Sequence, residues 1–330
     1  MIFRHKKNFV IKTTCILLLF VMLLSYENTR ASALNGLNLW LYNVIPVLFP
    51  YLFIINIIMH FNAFTILSFI LYPILHPIFK ISKNACFCII SGFFCGFPVG
   101  IKTVNDMTRK KQILPKEANY LASFCNNLSL SFYLNFIIHD NIQKNPGIYG
   151  TKNYKLLLFI LIILPYLSAI ICSFIYRRIN NYRSDDIIKL CKQNKDLINP
   201  SKDNSTNSFL DNCISNTLEA LFKIGGYIII FSILSGIITH YIKLPPPVKP
   251  AATTILEVSN GAVAFTGCSL KIIVTVLIPL CSFGGISAMF QSLQMITEKE
   301  IIKKNYIKYK FINTLITYLL ATLICIIFAI

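Results

Sequence analysis

Residues 91–100, SGFFCGFPVG, place three glycines and a proline inside a long apolar run. Gly92, Gly96 and Gly100 are four apart, so on a continuous helix they line one face, the spacing that lets two membrane helices pack closely. Pro98 argues against continuity. It removes one backbone hydrogen bond and blocks another, at about 3 kcal/mol in a helix interior. In hydrocarbon the freed groups have no water to turn to, so such a break persists only where protein or a water-filled cavity covers it. The stretch is therefore either a packing face or a broken segment at a site. Seven of the 13 glycines fall in 91–100, 261–267 and 284–285. Packing needs alone would spread them more evenly, which favours the broken segment.

The surroundings are membranous. Of the 330 residues, 55% are hydrophobic and only 13% charged, and mean hydropathy is +0.64. Soluble domains carry about 25% charged residues. Apolar stretches long enough to cross hydrocarbon occur near 9–25, 37–59, 63–80, 85–101, 118–138, 155–176, 220–242, 268–296 and 311–329. A shorter one, 251–266, reads as entering and returning. The net charge of +18 is no nucleic-acid patch, because the basic residues sit in short loops between spans. Their alternation places the N-terminus (Arg4, Lys6, Lys7) inside. The N-terminal segment shares features with a signal peptide, ending in "ASA" at 31–33, but the charged "YENTR" before it favours a retained helix. The basic stretches 102–120 and 297–310 read as interfacial helices that fix topology.

Residues 177–213 are polar, rich in Ser, Asn, Asp and Lys, and read as a solvated inner linker with a short helix at 184–192. The flanking halves echo one another: "LASFCNNLSLSF" (121–132) against "LCSFGGISAMF" (280–290), one running outward and the other inward. Two similar halves of opposite orientation are the mark of an inverted-repeat transporter. The fold expected is an all-α polytopic membrane protein of about eight or nine helices, with broken or re-entrant segments in two inverted repeats. Its divisions are an N-terminal helix (1–30), a first repeat (31–176), the linker (177–213) and a second repeat (214–330).

The candidate site follows from the breaks. Asn126, Asn127, Ser129 and Ser131 interrupt one span, and the two adjacent asparagines point about 100° apart on a helix, so one partner could not serve both without unwinding. Gly284 and Gly285 take the matching place in the second half, followed by Ser287 and Gln291. Glu257, in "LEVSNG", is the one carboxylate read as lying well within a membrane segment, where it must pair, bind an ion or exchange a proton; the bland alternative is a snorkelling residue. Lys223 and Lys271 read as snorkelling. Candidate substrate-binding positions are Gly96, Pro98, Gly100, Asn126, Asn127, Ser129, Asn260, Gly284, Gly285 and Ser287, with Glu257 for ion or proton coupling. The 11 cysteines and five histidines show no zinc or redox spacing. Neither a catalytic residue, a metal site nor a cofactor is expected, and no P-loop occurs.

"GLNLWLYNVIPVLFPYLFI", "SGFFCGFPVGIKT", "LASFCNNLSLSF", "LEVSNG" and "SFGGISAMFQSL" together resemble the YlbJ-like sporulation integral membrane proteins, which carry nucleoside-recognition (gate) domains. The resemblance runs from about residue 31 and departs at Leu128-Ser129-Leu130, where the family reads small residues and proline. It implies two gate-type repeats and a multi-pass protein of an endospore former, in the cell membrane or the outer forespore membrane. It also implies a part in moving dipicolinic acid from mother cell toward forespore. The expected partners are membrane lipids and a small organic anion, not nucleic acid, with a homo-oligomer left open. The alternatives are a nucleoside-like solute, or a scaffold for cortex or coat assembly that transports nothing.

Overall fold

Backbone polar groups in hydrocarbon must be satisfied within the segment that carries them, and helices do this. The computed structural model describes residues 2–151, 153–183, 209–245 and 248–330, and every regular element among them is helical. The helix expected at 184–192 and most of the linker lie outside the described residues.

In the first half, α1 (Ile2–Leu24) bends at Ser25 into α2 (Tyr26–Asn38), which continues through a π-helical turn, Leu39–Val44, into α3 (Ile45–His60). Then come α4 (Phe64–Phe79), α5 (Ala85–Phe94), α6 (Val99–Arg109) and α7 (Pro115–Ala122). After an unwound stretch, α8 (Leu130–Phe132) runs on as a π-helix, Tyr133–Gln143, and α9 (Tyr154–Ile179) returns. The second half holds α10 (Phe209–Tyr241), α11 (Val248–Leu256) and α12 (Val258–Ala264). It closes with α13 (Leu270–Ile272), a π-turn at Ile273–Leu277, α14 (Ile278–Phe283), α15 (Gly285–Met295) and α16 (Lys303–Phe328). Five stretches are long and apolar enough to cross a membrane: Tyr26–His60, Tyr154–Ile179, Phe209–Tyr241, Leu270–Met295 and Lys303–Phe328.

Two spans read from the sequence do not cross. Gln112 donates through Nε2 to Asn62 Oδ1 at 2.9 Å and accepts at its carbonyl from Asn84 Nδ2 at 3.0 Å. Both ends of 62–84 are thus tied to one residue, and α4 starts and finishes on the same face. Its 16 residues span about 24 Å at 1.5 Å per residue, short of the hydrocarbon thickness. The expected span 85–101 is a re-entrant hairpin. α5 descends, the chain turns at 95–98 and α6 returns, bringing Gly92 and Gly100 into backbone contact.

Basic loops gather on one face. There Asn119 Nδ2 donates to the Glu300 carbonyl (2.7 Å), Asn180 Nδ2 to Tyr309 (2.6 Å) and Lys110 Nζ to the Met59 carbonyl (3.1 Å). On the opposite face Asn141 Nδ2 and Asn145 Nδ2 donate to the carbonyls of Ala262 (3.0 Å) and Cys268 (2.8 Å). α11 and α12 therefore form a second hairpin, entering from the face opposite the first. Each hairpin is followed by a broken helix, α7–α8 or α13–α15, and then by a long crossing helix, α9 or α16. The halves are built from the same parts in opposite orientation. α2 and α3 lie antiparallel along α10, sealed by small residues: a Cβ on Gly36 would reach Ser232 Oγ at 2.8 Å, while Trp40 Nε1 donates to the Leu221 carbonyl at 3.0 Å.

Candidate functional site

The tip of the first hairpin meets the unwound part of the first broken helix, backbone against backbone. Gly96 holds φ +79°, and a Cβ there would stand 2.3 Å from the Ser129 nitrogen. One on Gly92 would stand 1.8 Å from the Cys125 carbonyl oxygen, and one on Gly100 2.7 Å from the Gly92 Cα. Pro98 caps the start of α6. The glycine spacing serves close packing after all, but across a turn and not along one helix.

Unwinding at 123–129 frees the two asparagines to face different partners. Asn126 Oδ1 accepts from the Ile101 N–H at 3.3 Å, and its Nδ2 donates to Ser292 Oγ (2.8 Å) and the Tyr306 hydroxyl (2.9 Å). Asn127 Nδ2 donates to the Phe124 carbonyl at 2.9 Å, and its Oδ1 accepts from Asn313 Nδ2 at 3.4 Å. Asn313 Nδ2 also donates to Ser282 Oγ at 3.0 Å, just before the second break. Both asparagines therefore tie the first broken helix to the second half.

The second hairpin turns at Glu257. This residue is extended and 3% exposed, and its carboxylate caps α12 by accepting from the Asn260 N–H at 2.7 Å. The Asn260 side chain donates to Ser232 Oγ of α10 at 2.8 Å. Gly261 packs against Thr254 across the second hairpin as Gly92 does against Gly100 across the first, and Gly285 (φ +78°) packs on the Thr254 carbonyl. Gly284 (φ +85°) gives the second helix its break, and a Cβ there would meet the Phe97 ring at 2.7 Å. Phe97 of the first hairpin thus touches the second broken helix.

Between the hairpins lies a cavity of about 110 Å³, lined by Asn43, Phe97, Ser129, Asn135, Glu257 and Gln291 among others. That is room for several waters or a small polar solute. Ser287 Oγ accepts from Gln291 Nε2 at 3.1 Å, one step behind the wall. Of the candidate residues, Ser129 and Glu257 line the cavity. The candidate glycines hold the backbones around it, and Asn126, Asn127 and Asn260 are engaged by protein partners. A wider space of about 270 Å³ opens at the basic face, between Lys102, Asp106, Arg109, Lys110 and Lys223. Lys102 and Arg109 pair with Asp106 (2.8 and 3.1 Å), and Lys223 pairs with Glu219. Among the described residues no three His, Cys, Asp or Glu side chains gather as metal ligands.

Sequence reasoning missed Lys310. The stretch 297–310 was read as interfacial, yet α16 carries Lys310 inward, 3% exposed, with Nζ donating to the Asn126 carbonyl at 2.5 Å and lying 4.3 Å from the Phe97 ring centroid. The signal was a polar stripe, Lys310, Asn313 and Thr317, at i, i+3 and i+7 on one face of an apolar helix. Glu117, fully buried and accepting from the Ser82 N–H (2.7 Å) and hydroxyl (2.9 Å), is a second buried carboxylate that went unread.

Residues 41–175 match the family model described as Gate, nucleoside recognition. The chain is similar to the sporulation integral membrane protein YlbJ of Bacillus subtilis (strain 168), at 21% identity over 301 residues, covering 81% of this chain and 70% of the relative. No solved structure matches. Residues 41–175 are thus similar to a nucleoside-recognition gate domain, and the chain as a whole is similar to an integral membrane protein of sporulation, the resemblance read from its motifs.

Proposed function

We propose that this protein transports a small polar organic solute across a membrane, by exposing the cavity between its hairpins to each face in turn. One observation carries the reading. Two re-entrant hairpins enter from opposite faces, and their tips meet the two broken helices around a mostly apolar cavity into whose wall Ser129, Glu257 and the amides of Asn43, Asn135 and Gln291 are set. Broken helices and midplane cavities at a repeat interface are the working parts of secondary transporters. The similarity to a gate domain and a sporulation membrane protein points the same way. The finer reading rests on the resemblance: the solute is a small organic anion, dipicolinic acid, moved toward the forespore across the membrane around it. On this reading the N-terminus is cytoplasmic and Glu257 holds the coupling proton or cation. Uptake of labelled dipicolinate into vesicles containing only this protein is the test. Absence of uptake in either direction, with and without a proton gradient, refutes it.

A nucleoside-like solute is the second reading. The Glu257 carboxylate and the amides of Asn43, Asn135 and Gln291 in the cavity wall suit a neutral solute rich in hydrogen-bond donors and acceptors. Competition in the same vesicles separates the two.

A further inference from the structure

Lys310 is a lysine buried in the apolar interior, and among the described residues no carboxylate pairs with it. Its Nζ has three protons to give. One goes to the Asn126 carbonyl, and the ammonium lies over the face of Phe97. Intramembrane lysines pair with an acid or mark the path of a substrate or ion. Among the described residues no acid pairs with Lys310. Glu257, across the cavity, caps α12.

The place of Phe97 gives this lysine a direction. Its ring covers the ammonium at 4.3 Å, lies against Gly284 and forms part of the cavity wall. One aromatic ring thus separates a solute in the cavity from the buried lysine. Phe97 belongs to a hairpin tip, between Gly96 at φ +79° and Pro98, so its position depends on how that tip is seated. A ring face is a weak partner for an ammonium, and a carboxylate is a stronger one.

We propose that Lys310 is the receptor for the carboxylate of a solute that has entered the cavity, and that the Phe97 ring is its cover, displaced when the anion binds. The inference rests on the transport reading and deepens it: the solute is a small carboxylate, recognised by a covered lysine and not by the open wall of the cavity. It gives Lys310 a role that a purely structural lysine, content with the Asn126 carbonyl, would not have.

The test is equilibrium binding to the purified full chain in lipid nanodiscs, with two probes of the same shape, dipicolinate and its neutral diamide. The wild type should favour the dicarboxylate by about tenfold or more. Lys310→Met should abolish that preference and leave diamide affinity unchanged, while Lys310→Arg should retain it. Phe97→Leu should tighten dicarboxylate binding severalfold, because the cover is smaller; this variant and Lys310→Arg decide the matter if Lys310→Met fails to fold. A preference that survives Lys310→Met, or a Phe97→Leu variant that binds no better or more weakly, overturns the proposal. If the wild type ignores dipicolinate yet binds and moves a nucleoside, the inference falls while the transport reading stands. If no solute is bound or moved, both fall.

Discussion

Replacing Gly92 by alanine tests whether the first hairpin is seated as described. The new Cβ would lie 1.8 Å from the Cys125 carbonyl oxygen, and its other near neighbours, the Cys125 carbonyl carbon and the Gly100 Cα, are backbone too. No side chain can rotate away. Restoring ordinary contact requires the hairpin arm or the unwound segment to move by about 1.6 Å. That movement would disturb the Asn126 hydrogen bonds to Ile101, Ser292 and Tyr306. Overpacking costs about 1–3 kcal/mol when side chains can yield, so about 3 kcal/mol or more is expected here. Gly226→Ala is the matched control. It lies within α10 with nothing inside 4 Å of its Cβ, and an exposed helical glycine should gain about 0.5–1 kcal/mol on becoming alanine. The assay is thermal unfolding in detergent, followed by fluorescence-detected size exclusion. Gly92→Ala should melt several degrees below wild type and Gly226→Ala at or slightly above it. Equal melting of the two variants would refute the hairpin contact and restore 85–101 as one straight span.

Asn126→Ala removes three buried hydrogen bonds worth about 1 kcal/mol each, and the same melting assay should show it far less stable than Asn127→Ala. Lost transport in that variant is therefore no evidence of substrate contact. Glu257→Gln keeps an acceptor for the Asn260 N–H and should melt like wild type, whereas Glu257→Ala should lose about 1 kcal/mol of capping. If Glu257 holds the coupling proton or cation, Glu257→Gln should bind solute but no longer respond to an imposed gradient, and full gradient-driven uptake by it would remove that role. For topology, the exposed Cys15 and partly exposed Cys268, together with Cys191 in the polar linker, are first replaced, and one new cysteine is placed at Lys111 or at Gly150. An impermeant reagent on intact cells should label position 150 and spare position 111; the reverse would invert the orientation.

The membrane class was legible because so few charges among so many apolar residues leave no water-facing surface, whatever the chain does next. The position of the breaks was legible too, since Pro98, the asparagine pair and Gly284–Gly285 are local departures that no straight apolar helix tolerates cheaply. Which way the chain goes after a break is not local. An apolar run of 85–101 reads the same whether it crosses or turns back, and Gly92 meets Gly100 only because the unwound 123–129 segment gives the hairpin tip a floor. α4 stays on one face because Gln112, far along the chain, ties both its ends. The asparagines were read as polar groups at a site. Tertiary contacts spend their amides on Ser292, Tyr306 and Asn313, leaving the cavity to Ser129, Glu257 and residues from other helices. Lys310 shows the division most plainly. In sequence it is the last of a basic cluster, set apart from its interfacial neighbours only by the polar stripe it begins with Asn313 and Thr317. Its burial is set by where α16 enters the bundle, a property of packing between distant segments that no window of the sequence contains.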